Sequence, residues 1–201
     1  MRPRPSTTWH ARSRPGAGPA ALAVFAERGY AAATLAGIAA RAGVTRGAAY
    51  HHFGDKATLY LATISELWAE AAAPAWGALD GEGTVMERLR RFLVAFFTAL
   101  ERDATLREVF ALSMRSAEGI PELDSGLRDK RIVMEGWKRG LMESLAGARL
   151  RDGLSAETAA LAIIMSVNGT AATWLACPEL FSPAGQAAAL ADAVLYGLTP
   201  P

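Results

Sequence analysis

The sequence has little of what most chemistries need. Its 201 residues include one cysteine, Cys177, which excludes an internal disulfide framework and a thiolate zinc site. Its three histidines are His10, near the start, and the adjacent pair His51 and His52. Neighbouring side chains diverge on a helix, so the pair cannot share one ion, and no metal is expected. The chain carries no nucleophile elbow, no phosphate-binding glycine loop and no dinucleotide fingerprint. Nothing in the sequence draws acids such as Glu108 and Glu118 into a catalytic pair. An enzyme is therefore not expected, and no cofactor is implied. β-Branched aliphatic residues are also scarce, with 8 Val and 6 Ile against 43 Ala and 23 Leu. Methyl and straight-chain side chains lose little rotamer freedom in a helix, whereas β-branched ones suit a pleated sheet. The balance argues against an all-β or a parallel α/β fold.

Excess charge of either sign is missing too. The formal charge is +1, which excludes a uniformly basic coat. Two segments imitate membrane signals. The start is basic, lacks an acid before Glu27 and runs into a short apolar stretch at residues 19–26, which is barely long enough for a secretory signal. Residues 158–178 hold no charge over 21 positions, the length of a bilayer span. Ser166, Asn168, Thr170 and Thr173 interrupt this run, and charged amphipathic stretches flank it. The expectation is a helix buried in a core or an oligomer interface, no membrane span, and a cytoplasmic location.

What is present is unevenly placed. Residues 1–56 contain eight basic and two acidic side chains, a charge of +6, and residues 57–201 contain 13 and 18, a charge of −5. Such asymmetry suggests that one part meets a polyanion, although four of the eight basic residues are Arg2, Arg4, Arg12 and Arg14 in the leading segment. Within 19–56 the pattern is that of short helices and a sharp turn. Pro19 suits a first helical turn, where its missing N–H costs nothing, and Leu22, Phe25 and Ala26 continue one face to a stop near Gly29. Thr34 is a good N-cap for a second helix that buries Leu35, Ile38, Ala39 and Ala42. Gly43 supplies the left-handed turn, Val44 fills the corner, and Thr45 caps a third helix over 46–52. Ala39 and Ala49 are small enough to let two helices cross closely, as in a helix-turn-helix. A helix presenting Thr45, Arg46, Gly47 and Tyr50 has the size and chemistry to enter a major groove.

The residues FAERGY (25–30), Thr34, IAARAGVTRGAAYHHFGDK (38–56) and Leu59 together resemble the TetR family of bacterial transcriptional regulators. The resemblance implies that 45–51 is a recognition helix, with Thr45, Arg46, Gly47 and His51 where base edges are read. Arg46 has the best chemistry for that, a fork onto the two acceptors of guanine. It further implies that Tyr50, His52 and Lys56 meet phosphates, and Thr34 can add a hydroxyl and backbone N–H groups to another. Tyr50 is also a plausible core aromatic, His52 a plausible helix cap, and Phe53 is read as core. The family's first helix normally begins earlier than Pro19 allows, so a shortened helix and a disordered basic arm are expected. Its arginines could follow the DNA backbone, enter the minor groove, or do nothing.

Beyond Lys56 the chain keeps a helical rhythm. Asp55 can cap a helix through Leu59, Tyr60, Ile64, Leu67 and Trp68 that ends before Pro74, followed by a loop over 74–83. A capping box, Thr84 to Glu87, opens a helix with a stripe of Leu89, Leu93, Phe96, Phe97 and Leu100. Another runs over about 105–114, and Gly119, Ile120 and Pro121 make a break. The longest helix then reaches about 146, with Leu127, Met134, Trp137, Leu141 and Leu145 inward. Ser155 opens the uncharged helix, and Ser182-Pro183 opens a last one through Leu190, Val194 and Leu198. The expectation is an all-α fold of about nine helices: a basic arm over 1–17, a helix-turn-helix domain over 18–56 and a ligand-binding and dimerisation domain over 57–201.

Residues 168–198 also look like the end of the AcrR-like branch, whose members commonly repress multidrug efflux pumps. That resemblance implies a C2 homodimer through the last two helices, a palindromic double-stranded operator, and repression relieved by a ligand. Trp68, Phe96, Phe97, Phe110, Met114, Trp137, Met165 and Asn168 are the candidates for an apolar pocket that would take a hydrophobic small-molecule effector. Aromatic and Met stripes at helical spacing also serve as plain core. The alternative is a helical binding protein of the same family that has turned to protein partners or nonspecific DNA, with no inducer.

Overall fold

A computed structural model describes residues 17–115 and 123–200, apart from the side chains of 17, 115 and 124–130. The basic arm, Glu118 and the break at Gly119, Ile120 and Pro121 lie outside the described residues, as does the side chain of Leu127. The described regular structure is entirely helical. The elements are α1 (Ala17–Ala32), α2 (Leu35–Arg41), α3 (Arg46–Phe53), α4 (Lys56–Gly77), α5 (Val85–Arg102), α6 (Ala104–Arg115), α7 (Asp124–Ser144), α8 (Ala156–Ala176) and α9 (Ala187–Tyr196). A 3-10 turn, Ala78–Asp80, follows α4. The chain divides into two compact units, 1–68 and 69–201, with the boundary inside α4.

In the first unit, α1 carries Pro19 in its first turn and breaks at Gly29, whose φ of 71° no side chain favours. Ala21, Leu22, Val24 and Phe25 form its buried face. Thr34 caps α2 by accepting the Gly37 N–H at 3.0 Å, and α2 buries Leu35, Ile38 and Ala39. Ala42, expected on that face, is half-buried and forms the C-cap. Gly43 turns the chain at φ 66°, and Thr45 accepts the Ala48 N–H at 3.2 Å to start α3. Phe53 is only half-buried, in edge-on contact with His52. Asp55 caps α4 through the Thr58 N–H at 2.7 Å.

The second unit is built from longer helices around larger side chains. Thr84 and Glu87 form both halves of the capping box that opens α5. From there Leu89, Phe92, Leu93, Phe96, Phe97 and Leu100 are sealed from solvent. This face packs α5 against α6, α8 and α9, and α7 packs on α8. Trp137 and Leu141 are buried, as is Leu145 at the C-cap of α7, while Met134 is half-buried.

Three sequence expectations are corrected. Helix α4 does not end before Pro74: it continues to Gly77 with the proline inside, which makes α4, at 22 residues, longer than α7. A proline this close to a helix end sacrifices one hydrogen bond. Burial of Ala72, Ala75 and Leu79, with Trp76 against Phe92 and Trp137, outweighs that loss. Nor does Ser182-Pro183 open the last helix, which begins at Ala187. Glu101 instead accepts from Ser182 Oγ at 2.7 Å and from the Ala184 N–H at 2.8 Å, holding this stretch as a turn. Those two donors lower the carboxyl pKa of Glu101.

Candidate nucleic-acid interface

The interface begins with two turns that tolerate few substitutes. Gly43 lets the chain reverse within a few residues, and the buried Ala39 and Ala49 let α2 and α3 cross closely. Ala49 takes the inner face of α3 and His52 and Phe53 are half-buried, while the remaining side chains point to solvent. Thr34, Thr45, Arg46, Gly47, Tyr50 and His51 are all exposed. Arg46 and Tyr50 lie one turn apart, and the guanidinium sits 5.2 Å from the centre of the Tyr50 ring. Stacking of this kind keeps a long side chain extended at small entropic cost and leaves its donors free. The Thr34 and Thr45 side chains each accept a backbone N–H of their own helix, which leaves both hydroxyl protons available.

Two of the sequence-predicted contacts are placed differently. His52 is half-buried, and burial lowers its pKa, with a further contribution from His51. It is therefore neutral at pH 7, a weaker partner for a phosphate than an imidazolium. Lys56 is also half-buried, and its Nζ donates to the carbonyls of Tyr30 at 2.8 Å and Ala31 at 3.3 Å. Sequence reasoning missed the residues that receive it. Tyr60, one turn beyond Lys56, meets Tyr30 edge-on at 5.2 Å and Phe25 at 4.8 Å. The i, i+4 spacing of Lys56 and Tyr60 was the available signal. An exposed ion pair, Arg41 to Glu27 at 2.6 Å, joins α2 to α1; the hydrogen bond from Arg41 lowers the Glu27 pKa.

The ligand candidates separate into groups. In the second unit Phe96, Phe110 and Trp137 converge, with Phe96 6.3 Å from Phe110 and 6.5 Å from Trp137, and Phe97 adjoins them through Phe96. Trp76 joins the cluster at 5.2 Å from Trp137, a member that sequence reasoning placed in a loop. Trp68 is half-buried and belongs to the first unit. Asn168 donates to the Ile164 carbonyl of its own helix at 2.9 Å. Met114 and Met165 are exposed, the latter by 65%, and Met165 shares a face of α8 with exposed Leu161. Among the described residues no His, Cys, Asp and Glu cluster could hold a metal ion. Helix α8 is long and apolar enough to cross a membrane by length and composition, a test that core helices also pass.

A capped, tightly turned helix pair with an exposed second helix, followed by an all-helical second unit, defines a helix-turn-helix DNA-binding regulator. Residues 19–63 match the profile of the bacterial regulatory proteins, tetR family. The chain is 32% identical over 166 residues to the HTH-type transcriptional regulator TtgR of Pseudomonas putida, covering 80% of this chain and 79% of that one. This chain belongs to the tetR family. Among solved structures it is similar to NalD of Pseudomonas aeruginosa, the secondary repressor of the MexAB-OprM multidrug efflux pump. That match has 25% identity and a TM-score of 0.77, and covers 94% of this chain and 97% of that one. It is also similar to SmeT, the repressor of the Stenotrophomonas maltophilia efflux pump SmeDEF, with 28% identity, a TM-score of 0.73, and 96% and 92% covered. SmeT is known in complex with triclosan as well.

Proposed function

We propose that this chain is a cytoplasmic repressor that binds a palindromic operator as a C2 homodimer and is released by a hydrophobic small molecule. In this reading residues 18–56 read DNA, and residues 57–201 bind the effector and dimerise. Thr45, Arg46, Gly47 and His51 face base edges, with Arg46 directed to a guanine, while Tyr50, His52, Lys56 and Thr34 serve the backbone. The observation that carries the reading is the outward face of α3, where an arginine stacked on a tyrosine stands beside small and hydroxyl side chains.

Dimerisation supplies what one helix of eight residues cannot, a second half-site a helical turn or more away. Exposed Leu161 and Met165 on α8 and Tyr196 on α9 support a self-complementary apolar face there. Met165 then belongs to the subunit contact and not to a pocket. The cluster of Phe96, Phe110 and Trp137 is the apolar wall best suited to a hydrophobic effector, and the triclosan complex of SmeT supports that chemistry. An effector that prefers the conformation unable to span both half-sites would release DNA.

Selection of random DNA against the purified protein, followed by footprinting, tests this. A protected palindrome is expected, together with loss of the footprint on adding one member of a panel of hydrophobic drugs and dyes. Uniform weak protection would instead favour a nonspecific DNA-binding role.

A further inference from the structure

Arg28 is an exposed cation near the end of α1, one residue before the Gly29 break. Its acidic neighbour Glu27 is taken by Arg41 at 2.6 Å, and among the described residues Arg28 itself makes no hydrogen bond or ion pair. Its guanidinium is directed across to α2. There Arg28 Nη1 and Thr34 Oγ1 lie 3.9 and 3.2 Å from the point where a Cβ on Gly37 would stand. Thr34 is exposed as well, so the two side chains flank one spot that the glycine leaves open.

The proposed backbone contacts are short of charge. Thr34 and Tyr50 bring hydroxyls, and His52 is neutral at pH 7. Lys56 gives two of its three ammonium donors to the Tyr30 and Ala31 carbonyls, which leaves one for a phosphate. Because affinity for a duplex comes largely from neutralised phosphates, a second full charge on this side of the unit has a large effect. An arginine offers five donors in a planar fork that fits two oxygens of one phosphate, and those of Arg28 are uncommitted. We propose that Arg28 is a further DNA-binding residue: its guanidinium, beside the Thr34 hydroxyl, takes a phosphate of the operator backbone. This inference rests on the proposed DNA-binding function.

The salt dependence of binding reads the contact. Each phosphate neutralised contributes about 0.9 to the slope of log affinity against log salt, and a dimer on two half-sites uses the contact twice. Arg28→Gln, measured on the selected operator between about 50 and 200 mM salt, should therefore flatten the slope by about two and leave the sequence preference unchanged. Arg28→Lys keeps the charge and should hold the wild-type slope. Arg41→Gln removes the same charge from a side chain already bound to Glu27, and should flatten the slope far less. Replacing single operator phosphates by neutral methylphosphonates locates the contact: the wild type should lose affinity at one position per half-site where Arg28→Gln loses none. An unchanged slope in Arg28→Gln overturns the proposal. Equal flattening in Arg41→Gln also overturns it, in favour of general charge, as does a methylphosphonate profile shared by wild type and variant. If the wild type selects no operator, the specific-regulator reading falls, and the Arg28→Gln slope on an arbitrary duplex still decides the contact.

Discussion

The two units solve the problem of holding helices together by different means. In the second, α5 alone seals three phenylalanines and three leucines from solvent, and α6, α8 and α9 pack on that helix. In the first, the helix-turn-helix is made of two short helices that cross at the small Ala39 and Ala49, fixed by caps, by a left-handed glycine and by the Lys56 hydrogen bonds to the end of α1. Buried volume can be filled by many combinations of side chains, whereas a cap, a turn or a stacked arginine needs a particular one. The packing of α5 is consequently the more tolerant of sequence change, and the caps, turn and stacked arginine of the helix-turn-helix the less tolerant. That division suits a protein whose reading surface has to be specified atom by atom.

The contrast is sharpest when a large ring is removed from each unit. Phe96→Ala should destabilise the protein by about 3–5 kcal/mol, because the cavity cannot collapse among Phe92, Phe97, Phe110 and Trp137. Tyr50→Ala, at a position 43% exposed, should change stability by less than about 1 kcal/mol. Chemical denaturation of both variants measures this, and comparable losses would erase the distinction between the units.

On DNA the ranking should reverse. Arg46→Ala should cost about 1–3 kcal/mol of operator binding and relax preference at one base pair. If Tyr50 supports Arg46 through the stack, Tyr50→Phe keeps that preference and Tyr50→Ala weakens it only while Arg46 is present. A four-member binding cycle reads this coupling. An operator preference that survives Arg46→Ala intact would remove Arg46 from base reading.

Gly43 tests the conformational side of the comparison. No atom beyond its own and its two chain neighbours' lies within 4 Å of where its Cβ would stand, so Gly43→Ala meets no clash with the rest of the fold and the φ of 66° opposes it. The expected loss is about 1–2 kcal/mol. A neutral substitution would mean that the turn is not pinned as described.

The same contrast explains what the sequence made legible. Thr34, Gly43, Thr45, Asp55 and the Thr84–Glu87 box were readable because each does a local job within three or four residues of itself. The continuation of α4 through Pro74 was not, since it depends on Trp76 meeting Trp137 about sixty residues away in sequence. Nor was the turn at Ser182, which is held by Glu101 from another helix. The inward face of Lys56 lay between these cases: its spacing to Tyr60 was visible, but its partner carbonyls were defined only once α1 broke at Gly29. Family resemblance pointed to a phosphate for this lysine, and the geometry adds two nearer partners while leaving one donor for it.

Acid should separate the units as well, by the smallest effect. No histidine follows His52, so the second unit has no side chain that ordinarily titrates near pH 6.5. In the first, burial and the neighbouring His51 lower the His52 pKa from its ordinary 6.5. Just below that pH the unfolded chain binds the proton and the folded one does not, so stability rises with pH through this window. The contribution is present above the unfolded value and is lost as pH falls through the folded one. Lowering pH from about 7.5 to 5.5 should therefore destabilise the wild type slightly, and His52→Gln should abolish that part of the slope. The second unit should respond later. Glu87, Glu101 and Glu157, lowered from 4.5 by their hydrogen-bond donors, and Asp192, lowered from 3.8 by Arg90, release their stabilisation only as pH falls below those ordinary values. Denaturation midpoints followed by exchange in each unit would resolve the two windows, and a His52→Gln protein with the wild-type slope near about pH 6 would count against a half-buried, neutral His52.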